Sequence, residues 1–312
     1  MSPESRHAKT LRAALLMACS AVLFGLMAVT IRLAAAQLHA FEIAFFRNVF
    51  GLLFALPILL RHGLGVFRTS KLPLYLLRCL AGTAGMLCGF WALVNMPLAQ
   101  AVAISYSTPL FVTVGAVLFL NEVVRARRWT AVLLGFIGVI VLLHPGAESF
   151  QPVALVALLA AAFSGGVAIS IKVLTRTETP DSIVLYTTLI WVPMTLLPAL
   201  LVWRAPSGLT WLWIAAAGFL GTSGHRLWTR ALKSSDASAI TPISFLQLPV
   251  VALAGWLLFD EELTRYTVIG SLIILGSNVY IAHREMQLAR QAIAEPKIGS
   301  DGAPARSPIA SG

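Results

Sequence analysis

Arg47 lies about two turns into the apolar run FEIAFFRNVFGLLFALP (41–57). A guanidinium in hydrocarbon is costly unless it snorkels, finds a partner or lines a wet cavity. Two readings follow: it grips an anionic substrate group such as a carboxylate, or it ties its helix to a neighbour. Glu42 is five residues earlier, about 140° around a helix, so the two share no face. His225 is a second titratable group in an apolar run. An imidazole titrates near physiological pH and suits proton coupling, while an interhelical hydrogen bond is its plainer role. Glu42, near the start of its run, is the other coupling candidate, or else an anchor at the membrane interface.

A second constellation comes as a pair. STPLFVTVGAVLFLNE (107–122) returns 140 residues later as QLPVVALAGWLLFDEE (247–262). Pro109 and Pro249 each remove a helical hydrogen bond and free the carbonyl four residues earlier, at Ser105 and Phe245. Hydroxyls and amides crowd both prolines: Ser105, Tyr106 and Ser107 in one copy, Ser244 and Gln247 in the other. The expectation is a bent or broken helix in each copy whose exposed backbone and polar side chains bind substrate; the plainer reading is a kink satisfied by Ser or Thr. Glu122 and Glu262 close the copies, with Arg125 and Arg265 three residues on, a spacing that permits interfacial ion pairs.

Elements long and apolar enough must hold these groups. Of 312 residues, 58% are hydrophobic and 12% charged, and a soluble domain carries roughly twice that charge. Mean hydropathy is +0.83. Apolar runs of about 20 residues match helices that cross a bilayer, and they lack the alternation of transmembrane strands. The reading is an all-α integral membrane protein with ten spans near 12–34, 41–60, 73–95, 98–119, 129–145, 152–174, 182–203, 209–232, 237–259 and 265–283. Residues 284–312 are polar and rich in Pro, Gly and Ser, which predicts a disordered tail after a short helical continuation. With both termini cytoplasmic, nineteen Lys and Arg face inward and three outward, the positive-inside asymmetry. The net charge of +10 therefore orients the chain and calls for no nucleic-acid partner. Three cysteines in or beside apolar spans make no disulfide framework.

GTAGMLCGFWAL (82–93) matches GTSGHRLWTRAL (221–232), so spans three to five correspond to eight to ten. Five spans per half is odd, so the second half enters from the opposite side and the repeat is inverted. The halves are 12–145 and 152–283. Where the first copy has Met86 and Leu87, the second has His225 and Arg226, a break in symmetry that suits substrate or coupling.

These motifs, with LHAFEIAFFRNVFGLL in span two, resemble the drug/metabolite transporter superfamily with two EamA-type repeats, over residues 12–283. Within it, FEIAFFR, SYSTPLFVTVGAVLFLNE and RRWTAVLLGFIGVIVLLHPG look most like carriers of adenosylmethionine, riboflavin and amino-acid-like metabolites. The resemblance implies that the fourth and ninth spans line a central cavity. It gives a substrate-binding set of Arg47, Ser105, Tyr106, Ser107, Pro109, Ser244, Gln247 and Pro249.

There is no HExxH, no G-x-S-x-G elbow and no P-loop, which argues against enzyme and primary pump. No cofactor or metal is expected. The expected function is a secondary carrier in the inner membrane, monomeric or homodimeric, exporting a small amino-acid-like metabolite with protons as candidate coupling ion. The alternative is uptake of S-adenosylmethionine, riboflavin or a similar metabolite; a channel or scaffold ranks below both.

Overall fold

A computed structural model describes residues 3–62, 71–120, 126–143, 151–174, 180–234 and 241–294. Every regular element in it is helical: α1 (Pro3–Ala34), α2 (Ala40–His62), α3 (Leu72–Asn95), α4 (Leu98–Ser105), α5 (Thr108–Leu120), α6 (Ala126–Leu143), α7 (Val153–Leu174), α8 (Pro180–Leu200), α9 (Thr210–Ser234), a 3-10 turn (Thr241–Leu246), α10 (Gln247–Phe259) and α11 (Arg265–Ala294). Counting α4 with α5, and the 3-10 turn with α10, gives the ten spans of an all-α membrane protein. Among the described residues, four stretches are both long and apolar enough to cross a bilayer: Leu11–Ala34, Leu72–Asn95, Leu98–Leu118 and Val153–Ile171.

The packing is inside-out relative to a soluble bundle. On α6, Leu133, Leu134, Ile137 and Ile140 are exposed while Ala131, Val132, Val139 and Leu142 are buried. A soluble protein would not leave so continuous an apolar face in water; in lipid it costs nothing.

Both breaks fall at the paired prolines. α4 stops at Ser105, Tyr106 and Ser107 form a turn, and α5 begins at Thr108. In the second half a 3-10 segment runs into α10 just before Pro249. The carbonyl of Ser105, freed by Pro109, accepts the Thr108 hydroxyl at 2.7 Å, so local side-chain chemistry heals that break.

The two halves exchange under one operation. α1 packs on α9 as α7 packs on α3; α2 packs on α9 as α8 packs on α3; α5 packs on α7 as α10 packs on α1. The self-related pairs α2 with α8, α4 with α10 and α6 with α11 lie at the join. This is the packing of two inverted five-helix repeats.

At one end, Arg32 and Glu261 form an ion pair at 3.3 Å. Asp260 makes this possible: its left-handed φ of 51° turns the chain so that Glu261 N–H reaches Gly255 O at 3.0 Å. The Glu261 carboxylate also accepts Leu98 N–H at 2.8 Å, and Arg32 donates to the carbonyls of Leu93, Val94 and Met96. One sequence expectation, an ion pair of Glu262 with Arg265, changes here. The pair uses Glu261, not Glu262, while Arg265 lies 6.0 Å from the Tyr266 ring. Glu122 and Arg125 lie outside the described residues. The helical continuation reaches Ala294, and residues 295–312 lie outside the description.

Candidate functional site

The candidate residues gather into two groups on either side of α1. The first surrounds Arg47, the eighth residue of α2. Its side chain is 9% exposed, and Nη1 donates to Asn48 Oδ1 at 2.9 Å. Asn48 Nδ2 donates to Thr195 Oγ1 at 3.3 Å on α8 and lies 3.7 Å from Met86 Sδ on α3. The guanidinium packs over Gly221 of the second GT-x-G motif. A Cβ there would stand 2.8 Å from Nη2 and 3.1 Å from Nε, so glycine lets the guanidinium seat at this distance and any larger residue would push it back. Arg47 Nε has no hydrogen-bond partner, and among the described residues no carboxylate pairs with Arg47. A buried cation held by one neutral amide, with a donor to spare, has capacity for an anion.

His225 joins this group, within reach of the Arg47 charge. Its ring meets Phe24 edge-on at 5.0 Å and lies 6.4 Å from Trp228. Phe24, His225 and Trp228 thus set an aromatic wall beside a guanidinium.

The second group lies where the two broken spans cross. Tyr106 donates its phenol to Ser244 O at 2.8 Å, and its oxygen is 3.4 Å from Gln247 Oε1. Its ring meets Phe245 edge-on at 4.8 Å. Asn278, from α11, donates to the Tyr106 carbonyl at 2.7 Å. The fold therefore brings Tyr106, Ser244 and Gln247 together across the two halves. Ser105 and Ser107 bond back to Val102 O and Ile104 O within their own turn, so their hydroxyls are locally occupied. Pro109 is half-buried and Pro249 exposed. Successive residues of α1 touch both groups: Phe24 packs on His225, while a Cβ on Gly25 would stand 3.6 Å from Gln247 O.

Glu42 has a different setting. It is fully buried, and its Oε2 accepts His39 N–H at 2.8 Å while Oε1 accepts Arg204 N–H. His39 Nδ1 in turn accepts Phe41 N–H at 3.3 Å, which makes a reciprocal helix-capping box. Both carboxylate oxygens serve backbone donors, a geometry that suits capping α2 and tying it to the α8–α9 connection.

Sequence reasoning missed three polar residues. Asn48 stands beside the more conspicuous Arg47, yet among the described residues it gives the guanidinium its side-chain hydrogen bond. Asn278 sits in a Gly-Ser-Asn triplet inside the last span, a readable signal. Arg78, counted with the basic cytoplasmic segment, is instead 7% exposed inside α3 and donates to Thr187 Oγ1 on α8.

Residues 11–144 and 151–282 each match the EamA-like transporter family. The chain is 33% identical over 252 residues to an "S-adenosylmethionine uptake transporter" of Rickettsia felis, covering 80% of this chain and 85% of that protein. It is 34% identical over 226 residues to a "Riboflavin transporter" of Vibrio cholerae, covering 72% and 76%. A "Pseudopaline exporter CntI" of Pseudomonas aeruginosa is 28% identical, covering 81% and 89%. One crystal structure, 20% identical, superposes with a TM-score of 0.59 over 93% of this chain and 99% of its own, which bears on the fold alone.

Proposed function

Because this chain belongs to the EamA-like transporter family, we propose that it is an alternating-access carrier for a small polar metabolite with an anionic group. The observation that supports this most directly is Arg47: a buried guanidinium with an unspent Nε donor and no carboxylate partner among the described residues. A carboxylate entering there would receive charge-assisted hydrogen bonds. Tyr106, Ser244, Gln247 and the backbone at the two helix breaks bind the substrate's remaining polar groups from the other side of α1. The chain is a carrier rather than an enzyme; of the set expected from sequence, Arg47, Tyr106, Ser244 and Gln247 carry the reading, while the Ser105 and Ser107 hydroxyls are spent within their own turn and Asn48 holds Arg47 in place.

Of the substrate classes expected, a planar heteroaromatic metabolite gains ground over a simple amino-acid-like one. Phe24, His225 and Trp228 offer ring edges and faces next to the guanidinium, and stacking on a flat ring uses them. S-adenosylmethionine carries both a carboxylate and such a ring. Uptake stands at least level with export, since the relatives named for uptake are more similar than the one named for export. The carrier sits in the cytoplasmic membrane with both termini inside, as the basic asymmetry argues, eighteen to three once the buried Arg78 is set aside. His225 is its candidate proton carrier.

The test is flux into proteoliposomes holding the purified protein, with labelled S-adenosylmethionine and riboflavin as probes. Saturable flux of S-adenosylmethionine, which carries a carboxylate, is expected, and faster flux of riboflavin, which has no anionic group, would count against the anion-binding reading of Arg47. Arg47→Lys keeps charge without the planar fork and should weaken affinity. Arg47→Met should abolish transport per folded molecule, the folded amount being fixed by the monodisperse size-exclusion signal. Full activity per folded Arg47→Met molecule would remove the binding role.

A further inference from the structure

The symmetry that relates the halves gives Arg78 a role that composition hides. Arg47 is the eighth residue of α2 and Thr187 the eighth of α8, counted from Ala40 and Pro180. They are 140 residues apart, the offset of Pro109 and Pro249. The offset of the GT-x-G motifs carries Arg78 to Ala217, a fully buried residue beside Gly218. A Cβ on Gly218 would stand 3.1 Å from Arg47 O, so α2 and α9 nearly touch there. Each repeat-related crossing, α2 on α9 and α8 on α3, therefore holds one buried arginine, contributed from the α2 side in one and from the α3 side in the other. An inverted repeat sets these two crossings at similar depths from opposite membrane faces.

We propose that Arg78 is a positioning residue for transport: its hydrogen bond to Thr187 holds α3 of the first half against α8 of the second, and its release opens that end. This rests on the carrier reading above. Arg78 and Thr187 are 7% and 4% exposed, and Tyr75 stacks on Tyr186 beside them with centroids 4.8 Å apart. Among the described residues no carboxylate pairs with Arg78, and its Nε has no hydrogen-bond partner. A buried ion pair here would be costly to break in every cycle. A guanidinium on a neutral hydroxyl separates more easily, and the spare donor can take another acceptor as the seam shifts.

The chain supplies its own reporter. Cys79 adjoins Arg78 and is fully buried, whereas Cys88 lies farther along α3 and is partly exposed. In a Cys19→Ser background, N-ethylmaleimide labelling of Cys79 and Cys88 is quantified separately by peptide mass spectrometry in proteoliposomes without substrate. Because Arg78 and Thr187 also neighbour the Cys79 thiol, each rate is taken per thiolate from that variant's own pH–rate profile. So corrected, Arg78→Met and Thr187→Val should each speed Cys79 labelling about tenfold, the factor for losing one charge-assisted hydrogen bond. Cys88 should be unchanged, and Arg78→Lys should restore slow labelling. Because Thr187→Val keeps the arginine and the side-chain shape, it carries the test if Arg78→Met fails to fold. Unchanged Cys79 labelling in a folded variant overturns the proposal. So does equal acceleration at both cysteines, which marks a general prop for the fold. Since no substrate is used, the seam can fail this test while the Arg47 flux test succeeds, and the reverse.

Discussion

Gly82 and Gly221 open the two GT-x-G motifs at equivalent places in the repeat, but each makes room for a different side chain. A Cβ on Gly82 would stand 3.1 Å from Cζ2 and Nε1 of Trp191, while one on Gly221 would stand 2.8 Å from Arg47 Nη2. Alanine at either site adds one methyl to a filled seam, and overpacking costs about 1–3 kcal/mol. The indole of Trp191 is rigid and bulky, so Gly82→Ala should fall toward the upper end. The guanidinium sits at the end of a flexible chain and can retreat by a few tenths of an ångström, so Gly221→Ala should fall near the lower end. Helix propensity offsets up to about 1 kcal/mol in both. Function should rank the other way. On the proposed reading, moving the Arg47 guanidinium off its seat misaligns the contact it would make with a substrate carboxylate, and losing one charge-assisted hydrogen bond weakens affinity about tenfold. The assay pairs denaturant-monitored unfolding in detergent with KM for labelled S-adenosylmethionine in proteoliposomes. Gly82→Ala is expected to be the less stable protein with near-normal KM, and Gly221→Ala the more stable one with raised KM. If KM tracks stability in both variants, Arg47 is a packing residue and the binding argument fails.

Other outcomes follow from particular contacts. Tyr106→Phe should lower stability by about 1 kcal/mol, because Ser244 O loses its phenol donor; transport per folded molecule should fall as well, and an unchanged rate would exclude the crossing from the site. Glu261→Gln should cost about 1 kcal/mol or less, since the pair with Arg32 is partly exposed. Adding Arg32→Met to Glu261→Gln should cost less than Arg32→Met alone, which a double-mutant cycle reads directly. Glu42→Ala should cost about 1–2 kcal/mol through two uncapped backbone donors, with the pH dependence of transport unaltered; a flattened pH profile would return Glu42 to a coupling role. Reporters fused after Pro206 should face the periplasm and those after Lys233 the cytoplasm, and the same side for both would undo the orientation.

The sequence by itself determined the membrane, the helices and the repeat, because each depends on local composition or on self-comparison. Apolar runs of span length require helix, since no other open structure satisfies its backbone in lipid. Pro109 and Pro249 each remove a helical hydrogen bond wherever the chain takes them, so the two weak points were legible, although α8 runs unbroken through Pro193 and Pro198 and only the fold decides which prolines become breaks. Arg47 was legible because a charge in an apolar run is anomalous without any neighbour being known. Partnership was decided only in three dimensions. That Tyr106 meets Ser244 and Gln247, 138 and 141 residues away, depends on how two halves cross. Glu42 read as a titratable group near an interface until Arg204 N–H, 162 residues on, proved to close its cap. Arg78 looked like one more basic residue near a helix end; its burial depends on α8 lying against α3. Glu261 and Glu262 are adjacent and chemically identical, and the left-handed turn at Asp260 chooses which of them reaches Arg32. Spacing along a chain fixes which residues share a helix face. It cannot say which face of which other helix they will meet, because that follows from packing all the seams at once.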